Sequence, residues 1–129
     1  MLEDIVKPQI FDTDRFGHIN FIAPSIWFDR SRTTIYQALS PNLIPEEIGV
    51  VVLKSDIVYH KEMHWESEVR VRTWVSRIGH KSFTVTQEAW QNGICCATGN
   101  IILCGFNFEK RTSALLSEHI KSVINRFCE

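Results

Sequence analysis

Residues 12–20 read DTDRFGHIN, and the run that follows, FIAPSIWFDRSRTTIYQAL (21–39), carries helical periodicity. Two acids, a glycine, a histidine and an asparagine therefore crowd the point where a helix begins. The first N–H groups of a helix lack intrahelical partners and carry partial positive charge, so they can hold an oxyanion or favour an ionised carboxylate. Apolar Ile26, Trp27, Ile35, Tyr36 and Leu39 recur at helical spacings and predict a helix ending at Leu39. Its start is ambiguous between Ile22 and Pro24. Pro24 suits the first helical position and Asn20 suits a cap, and one undistorted helix cannot satisfy both.

Outward from this junction, residues Glu3 to Phe11 read as a strand with Pro8 marking an edge or irregular start. Ser40 to Gly49, with Pro41, Asn42 and Pro45, reads as a loop. From Val50 onward the pattern is β. Val50 to Tyr59 is rich in β-branched residues. Glu68 to Arg77 alternates, with Val69, Val71, Thr73 and Val75 on one face and Arg70, Arg72, Trp74 and Ser76 on the other. Ile78 to Lys81 forms a turn, Ser82 to Trp90 a strand, Asn92-Gly93 a hairpin turn, and Ile94 to Phe108 a long final strand. Gly99 and Gly105 mark bulges or close backbone approach. After a loop from Glu109 to Ser113, Leu116, Ile120, Val123, Ile124 and Phe127 outline a short amphipathic helix. The simplest packing is an α+β one, with an early helix lying across a curved antiparallel sheet.

The chain has 129 residues, 44% hydrophobic and 22% charged, with a formal net charge of -1. That length fits one domain, residues 1–129. The charge balance argues against nucleic-acid binding and electrostatic membrane anchoring, and no apolar run reaches the roughly 20 residues of a membrane span. The first residues, MLEDIVKPQ, lack a basic-then-apolar signal, so a cytoplasmic location is expected. Cys95, Cys96, Cys104 and Cys128 contain no CxxC pair and read as buried free thiols. His60 and His64 in HKEMH resemble a zinc motif only superficially, because the glutamate is misplaced and the context is a strand. No metal is expected.

The order of elements, together with Asp14-Arg15-Phe16-Gly17-His18-Ile19-Asn20, resembles the hotdog-fold acyl-CoA thioesterases, in the branch of 4-hydroxybenzoyl-CoA thioesterase. Supporting echoes are Trp27-Phe28-Asp29 with Arg32, Ile57-Val58-Tyr59-His60, and the strand–turn–strand SRIGHKSF (76–83). The resemblance implies a hotdog fold, hydrolysis of an acyl-CoA or acyl-carrier-protein thioester, and a homodimer or homotetramer. Coenzyme A is part of the substrate, and no separate cofactor is implied. The sequence departs from the family pattern at Phe21, at Pro24 and around Glu62, close to the acyl pocket.

Asp14 takes the family's catalytic carboxylate position. Thioester hydrolysis needs a nucleophile or a base that activates water, and a carboxylate can be either. Asp12 is expected to bond the turn. The backbone N–H of Phe21 or a neighbour is the expected oxyanion donor, His18 a residue that orients water or touches the thioester, and Asn20 a cap that can also serve the site. Arg77, His80, Lys81 and Ser82 offer cationic and hydroxyl donors suited to coenzyme A phosphates. Arg70 and Arg72 read as a solvated stripe, and Asp29/Arg32 as a local ion pair. Two other functions fit a hotdog chain: a non-catalytic acyl-CoA binding module, and a dehydratase or hydratase. The second wants an acid on the central helix, where only Asp29 is available.

Overall fold

The computed structural model describes residues 1–129. Strand β1 (Leu2–Val6) and a 3-10 turn (Ile10–Asp12) precede helix α1 (Ala23–Leu39) and a single turn, α2 (Pro45–Ile48). Strands β2 (Val50–Tyr59), β3 (Val69–Ile78), β4 (Ser82–Gln91), β5 (Ile94–Asn107) and β6 (Thr112–Ala114) follow, then helix α3 (Glu118–Asn125). The six strands form one antiparallel sheet in the order β1-β3-β4-β5-β2, with β6 on the end of β5. Helix α1 packs on one face of this sheet. This is the α+β hotdog arrangement.

Alternation explains how the sheet meets the helix. Val69, Val71, Thr73 and Val75 on β3 are all buried, as are Phe83, Val85, Gln87 and Ala89 on β4. Successive side chains of a strand point to opposite faces, so each strand presents one face to α1. The core falls into two parts. Ile35, Val75, Phe83 and Leu103 pack with Leu116, Ile120, Val123 and Ile124 from the C-terminal segment. Trp27, Phe28, Val69, Val71 and Ala89 pack with Ile19 and Met63.

Several expectations need correction. The first strand ends at Val6, and residues up to Asp12 turn instead, because Pro8 lacks the N–H a strand ladder requires. The helix starts at Ala23 with Pro24 in its second position. Asn20 caps a separate turn just ahead of it: its Oδ1 accepts from Ile22 N–H at 2.9 Å and its carbonyl from Ala23 N–H at 3.1 Å. Both residues keep their roles because the chain bends between them. Ile26 is exposed rather than core-facing, whereas Phe28 and Arg32 are buried. Residues 40–49 contain the α2 turn, and Thr112–Ala114 forms a sixth strand instead of a loop. On the outer face of β5, Ile102 is half-buried and Cys104 buried.

Gly99 and Gly105 mark close approach. A Cβ on Gly99 would lie 2.8 Å from the Phe28 ring, and one on Gly105 would lie 2.5 Å from the Ala114 carbonyl oxygen. The four cysteines are free; Cys96 and Cys104 are buried, and Cys95 and Cys128 are half-buried. Burial pushes the Cys96 thiol above its ordinary pKa and keeps it neutral.

Candidate active site

The 12–20 segment is a small clamped loop. Thr13 and Ile19 pair as an isolated antiparallel bridge, and Asp14 N–H donates to the His18 carbonyl at 3.0 Å. Gly17 closes the loop at φ +85°, a left-handed conformation that a side chain disfavours. Asp12 bonds the turn before it, accepting from Gln9 N–H at 2.8 Å. Ile19 N–H donates to the Met63 carbonyl at 2.7 Å, which ties this loop to the segment between β2 and β3. That second segment is pinned by buried Gln91. Its Oε1 accepts from His64 N–H, and its Nε2 donates to the carbonyls of His64 and Ser67.

Between the two loops lies an open cleft of about 330 Å³, lined by Asp14, His18, Asn20, Phe21, Tyr59 and Glu62 among others. All four residues expected at the reacting centre therefore border one cavity. The carboxylate of Asp14 accepts from Phe16 N–H at 2.7 Å through Oδ1, a loop bond rather than a helix-terminus one. Its other oxygen, Oδ2, makes no protein hydrogen bond. Around Phe21 the amides divide sharply. Asn20, Ile22 and Ala23 N–H groups all have acceptors, at Asp12, Asn20 Oδ1 and the Asn20 carbonyl, whereas Phe21 N–H has none. The Phe21 carbonyl, by contrast, accepts from the Tyr59 hydroxyl. Burial raises the Tyr59 phenol above its ordinary pKa, which keeps this donor protonated.

His18 meets Glu62, with Nε2 3.3 Å from Oε2, and His64 lies 3.8 Å from the other Glu62 oxygen. Glu62, Tyr59 and His64 were not expected at this site. Tyr59 ends β2, and Glu62 and His64 lie on the β2–β3 connection; the Ile57–His60 echo and the unusual sequence around Glu62 were the only hints. No group of three or more His, Cys, Asp or Glu side chains is arranged to hold a metal ion.

The other predicted cluster lies elsewhere. Arg77, His80, Lys81 and Ser82 occupy the β3–β4 end, whose backbone is tied to Gly105 and Leu116 through the carbonyls of Lys81 and His80, at 2.9 Å each. Asp14 sits near Met63 and the start of β3, and the turn follows the end of that strand. Ten strand residues, about 33 Å, separate the two ends. Within one chain the structure does not bring these residues to Asp14. Their side chains are exposed or half-buried and make no ion pair. Arg70 is likewise not a bare stripe residue: it pairs with Glu3 at 2.8 Å, and Arg72 stacks over Trp90 at 4.7 Å.

Comparison with known proteins identifies the family and matches the fold. The family model of the thioesterase-like superfamily matches residues 8–124. A predicted thioesterase from Bacillus stearothermophilus superposes with a TM-score of 0.91 at 28% identity, covering 98% of this chain and 96% of the other. A thioesterase of Thermus thermophilus, solved with coenzyme A and Zn, superposes with a TM-score of 0.86 at 24% identity over 97% and 92% of the two chains. An uncharacterized Bacillus subtilis protein, YsmA, is 25% identical over 99 residues, covering 76% of this chain and 67% of its own.

Proposed function

The chain belongs to the thioesterase-like superfamily, and from that premise we propose that it hydrolyses an acyl-CoA thioester with Asp14 as the working carboxylate. The observation that carries this reading is the pairing, in one cleft, of a carboxylate with one unbonded oxygen and a backbone amide, Phe21 N–H, with no acceptor. The first supplies attack. The second suits the negative oxygen that develops as the thioester carbonyl becomes tetrahedral, and one such donor is typically worth about 3 kcal/mol of barrier. Tyr59, by holding the Phe21 carbonyl, fixes the peptide plane beyond that amide. Asn20 holds the turn in which it sits.

Asp14 works in one of two ways. As nucleophile, an Asp14 oxygen bonds to the acyl carbon, the C–S bond breaks, and the thiolate leaves and takes a proton; water then hydrolyses the mixed anhydride. As general base, Asp14 accepts a proton from the water that attacks directly. A single turnover in oxygen-18 water separates them. Label found in the Asp14 carboxylate means a covalent intermediate opened at the aspartyl carbon, an acyl group trapped on Asp14 by acid quench means one opened at the acyl carbon, and neither signal means direct attack.

The active form we infer is a homodimer formed along β2. This edge strand has β5 as its sole neighbour and exposes Val52, Leu53 and Val58. Such an edge invites pairing with a second copy. Antiparallel pairing of two β2 strands about a two-fold axis sets the Tyr59 end beside the other copy's Val50 end. Val50 is aligned with Gly105, whose amide bonds Lys81. The cleft of one subunit then lies toward Arg77, His80 and Lys81 of the partner subunit, where cationic donors suit the coenzyme A phosphates. The coenzyme A held by the Thermus relative supports that choice of thiol half. A cytoplasmic setting suits this substrate, and no helix is long and apolar enough to cross a membrane.

The experiment is release of free thiol from a panel of acyl-CoAs, read with a thiol reagent. Turnover on at least one member is expected. No turnover on any, with binding retained, would assign the chain to the binding-module class instead. Sedimentation of the native protein tests the dimer, and a monomer at assay concentration would remove the partner's Arg77 from the account.

A further inference from the structure

When a thioester is cleaved, the departing sulfur takes up a proton. With Asp14 in attack and the Phe21 amide at the oxyanion, neither group is free to give one, and the Tyr59 hydroxyl already donates to the Phe21 carbonyl. The cleft wall carries three further side chains that can hold a proton as cations: His18, His60 and Lys61. His60 is bonded through Nε2 to Thr98 Oγ1 at 3.0 Å. A lysine ammonium is a weaker acid than a thiol, whereas an imidazolium is a stronger one. His18 is therefore the group on this wall suited to protonate a departing thiolate.

Glu62 meets this ring from the other loop. His18 Nε2 lies 3.3 Å from Glu62 Oε2, and His64 Nε2 lies 3.8 Å from Oε1, so the carboxylate stands between two imidazoles. Of the two, only His18 lines the cleft. The Phe16 ring lies along the His18 ring, with centroids 6.3 Å apart and planes at 26°. Backbone bonds on both sides fix the chain at Glu62: His60 N–H donates to the Cys96 carbonyl at 2.8 Å, the Met63 carbonyl accepts from Ile19 N–H at 2.7 Å, and His64 N–H donates to Gln91 Oε1 at 2.9 Å. The polar contact of the His18 ring is made through Nε2, which leaves Nδ1 free. A carboxylate beside an imidazole favours its protonated form, and an imidazolium has an N–H on each ring nitrogen. One is held by Glu62, and the other remains to be given.

We propose that Glu62 is a positioning residue for the leaving-group step, holding His18 as the imidazolium that hands a proton to the coenzyme A sulfur. This rests on the reading of the Asp14 cleft as the place where the thioester is cleaved. The C–S bond breaks with its electron pair on sulfur, sulfur takes the proton from His18 Nδ1, and the ring becomes neutral. The water that hydrolyses the acyl group returns a proton to the ring. One water is consumed, and one free acid and one free thiol are released. The role holds whether Asp14 attacks the acyl carbon or activates water, because the sulfur departs in both cases.

The test compares two thioesters of one acyl group in the full-length protein: the coenzyme A ester, and the 4-nitrothiophenyl ester, whose thiolate leaves without a proton. The Glu62 side chain is 54% exposed, so Glu62→Gln leaves the core intact. In that variant kcat/KM on the coenzyme A ester should fall about tenfold, and on the nitrothiophenyl ester by less than about twofold. His18→Asn should show the same contrast with a larger loss, and adding Glu62→Gln to it should cost nothing more, because Glu62 acts through His18. The pH profile of kcat/KM on the coenzyme A ester gives a second readout. Activity falls at high pH as the imidazolium loses its proton, and Glu62→Gln moves that fall to lower pH, since the charge that favours the imidazolium is gone. Equal losses on both esters, as a mere tie between the two loops would give, overturn the proposal, as does a limb that does not move. Undiminished turnover in Glu62→Gln sinks it while hydrolysis stands. No turnover by the native protein on either ester removes the hydrolase reading, and this role with it.

Discussion

The two ends of the core are closed by different means. At one end α3 lays Ile120, Val123 and Ile124 onto Val75 and Phe83, and Ser117 caps that helix by accepting from Ile120 N–H at 3.1 Å. At the other, two loops close the core, each giving one apolar plug, Ile19 and Met63. A helix satisfies its own backbone, so the first end offers little to a ligand. Loops pinned by single side chains leave amides such as that of Phe21 without partners, and the reacting groups gather there. One end of the hotdog stabilises; the other reacts.

The sharpest contrast comes from truncating each plug. Ile124→Ala, at a fully buried position, should cost about 3 to 4 kcal/mol in denaturant unfolding. Turnover per folded molecule should hold, because the residue lies outside the cleft. Met63→Ala should cost about 2 to 3 kcal/mol and raise KM, because Met63 both plugs the core and borders the cleft. Matching effects on KM would erase the proposed division of labour.

At the boundary between the ends, Gln87 Oε1 accepts from buried Arg32 Nη1 at 2.8 Å. Gln87→Leu removes that acceptor and strands a buried guanidinium. A loss of about 3 kcal/mol is expected, read by urea unfolding. A loss under about 1 kcal/mol would mean that Arg32 does not depend on Gln87. Asn20→Ala removes a turn cap and should cost about 1 kcal/mol, with a fall in kcat larger than that destabilisation implies, since the Phe21 amide loses its positioning. The smallest effect belongs to the sheet edge. The hydrogen bond from Arg70 holds the Glu3 carboxyl below its ordinary 4.5. A lowered folded-state pKa contributes stability that is present above the unfolded value and is lost as pH falls through the folded one. The Tm of Glu3→Gln should therefore sit slightly below that of the native protein at pH 7, and the gap should close below the usual carboxylate range. A gap that persists in acid would mean the pair is not its source.

What could be read in the sequence follows the same division. Strict alternation on β3 and β4, the Asn92-Gly93 turn and the C-terminal amphipathic pattern are local signals, and they located their elements. The Asp12–Asn20 loop was legible because Gly17, His18 and Asn20 stand close together in the chain. Tyr59 from the end of β2 and Glu62 from the β2–β3 connection reach the same cleft, and Gln91 pins that connection from β4; nothing in local periodicity reports such meetings. Arg32 was legible in part: its ion pair with Asp29 is present at 3.2 Å. Its i, i+3 relation to Asp29 is visible along the helix, whereas Gln87, which holds it in the core, is distant in sequence. The three-residue β6 was too short to leave a pattern. The Arg77–Ser82 turn was legible as a cationic turn but not in its position, since its distance from Asp14 depends on strand direction.

The most direct measurement is steady-state thiol release by the native protein and by Asp14→Asn on the best acyl-CoA of the panel. The variant keeps an oxygen that can accept from Phe16 N–H, so the loop keeps its shape while the carboxylate charge is gone. A fall in kcat of about a hundredfold or more is expected, with unfolding behaviour unchanged. Undiminished turnover in a folded Asp14→Asn protein would contradict it.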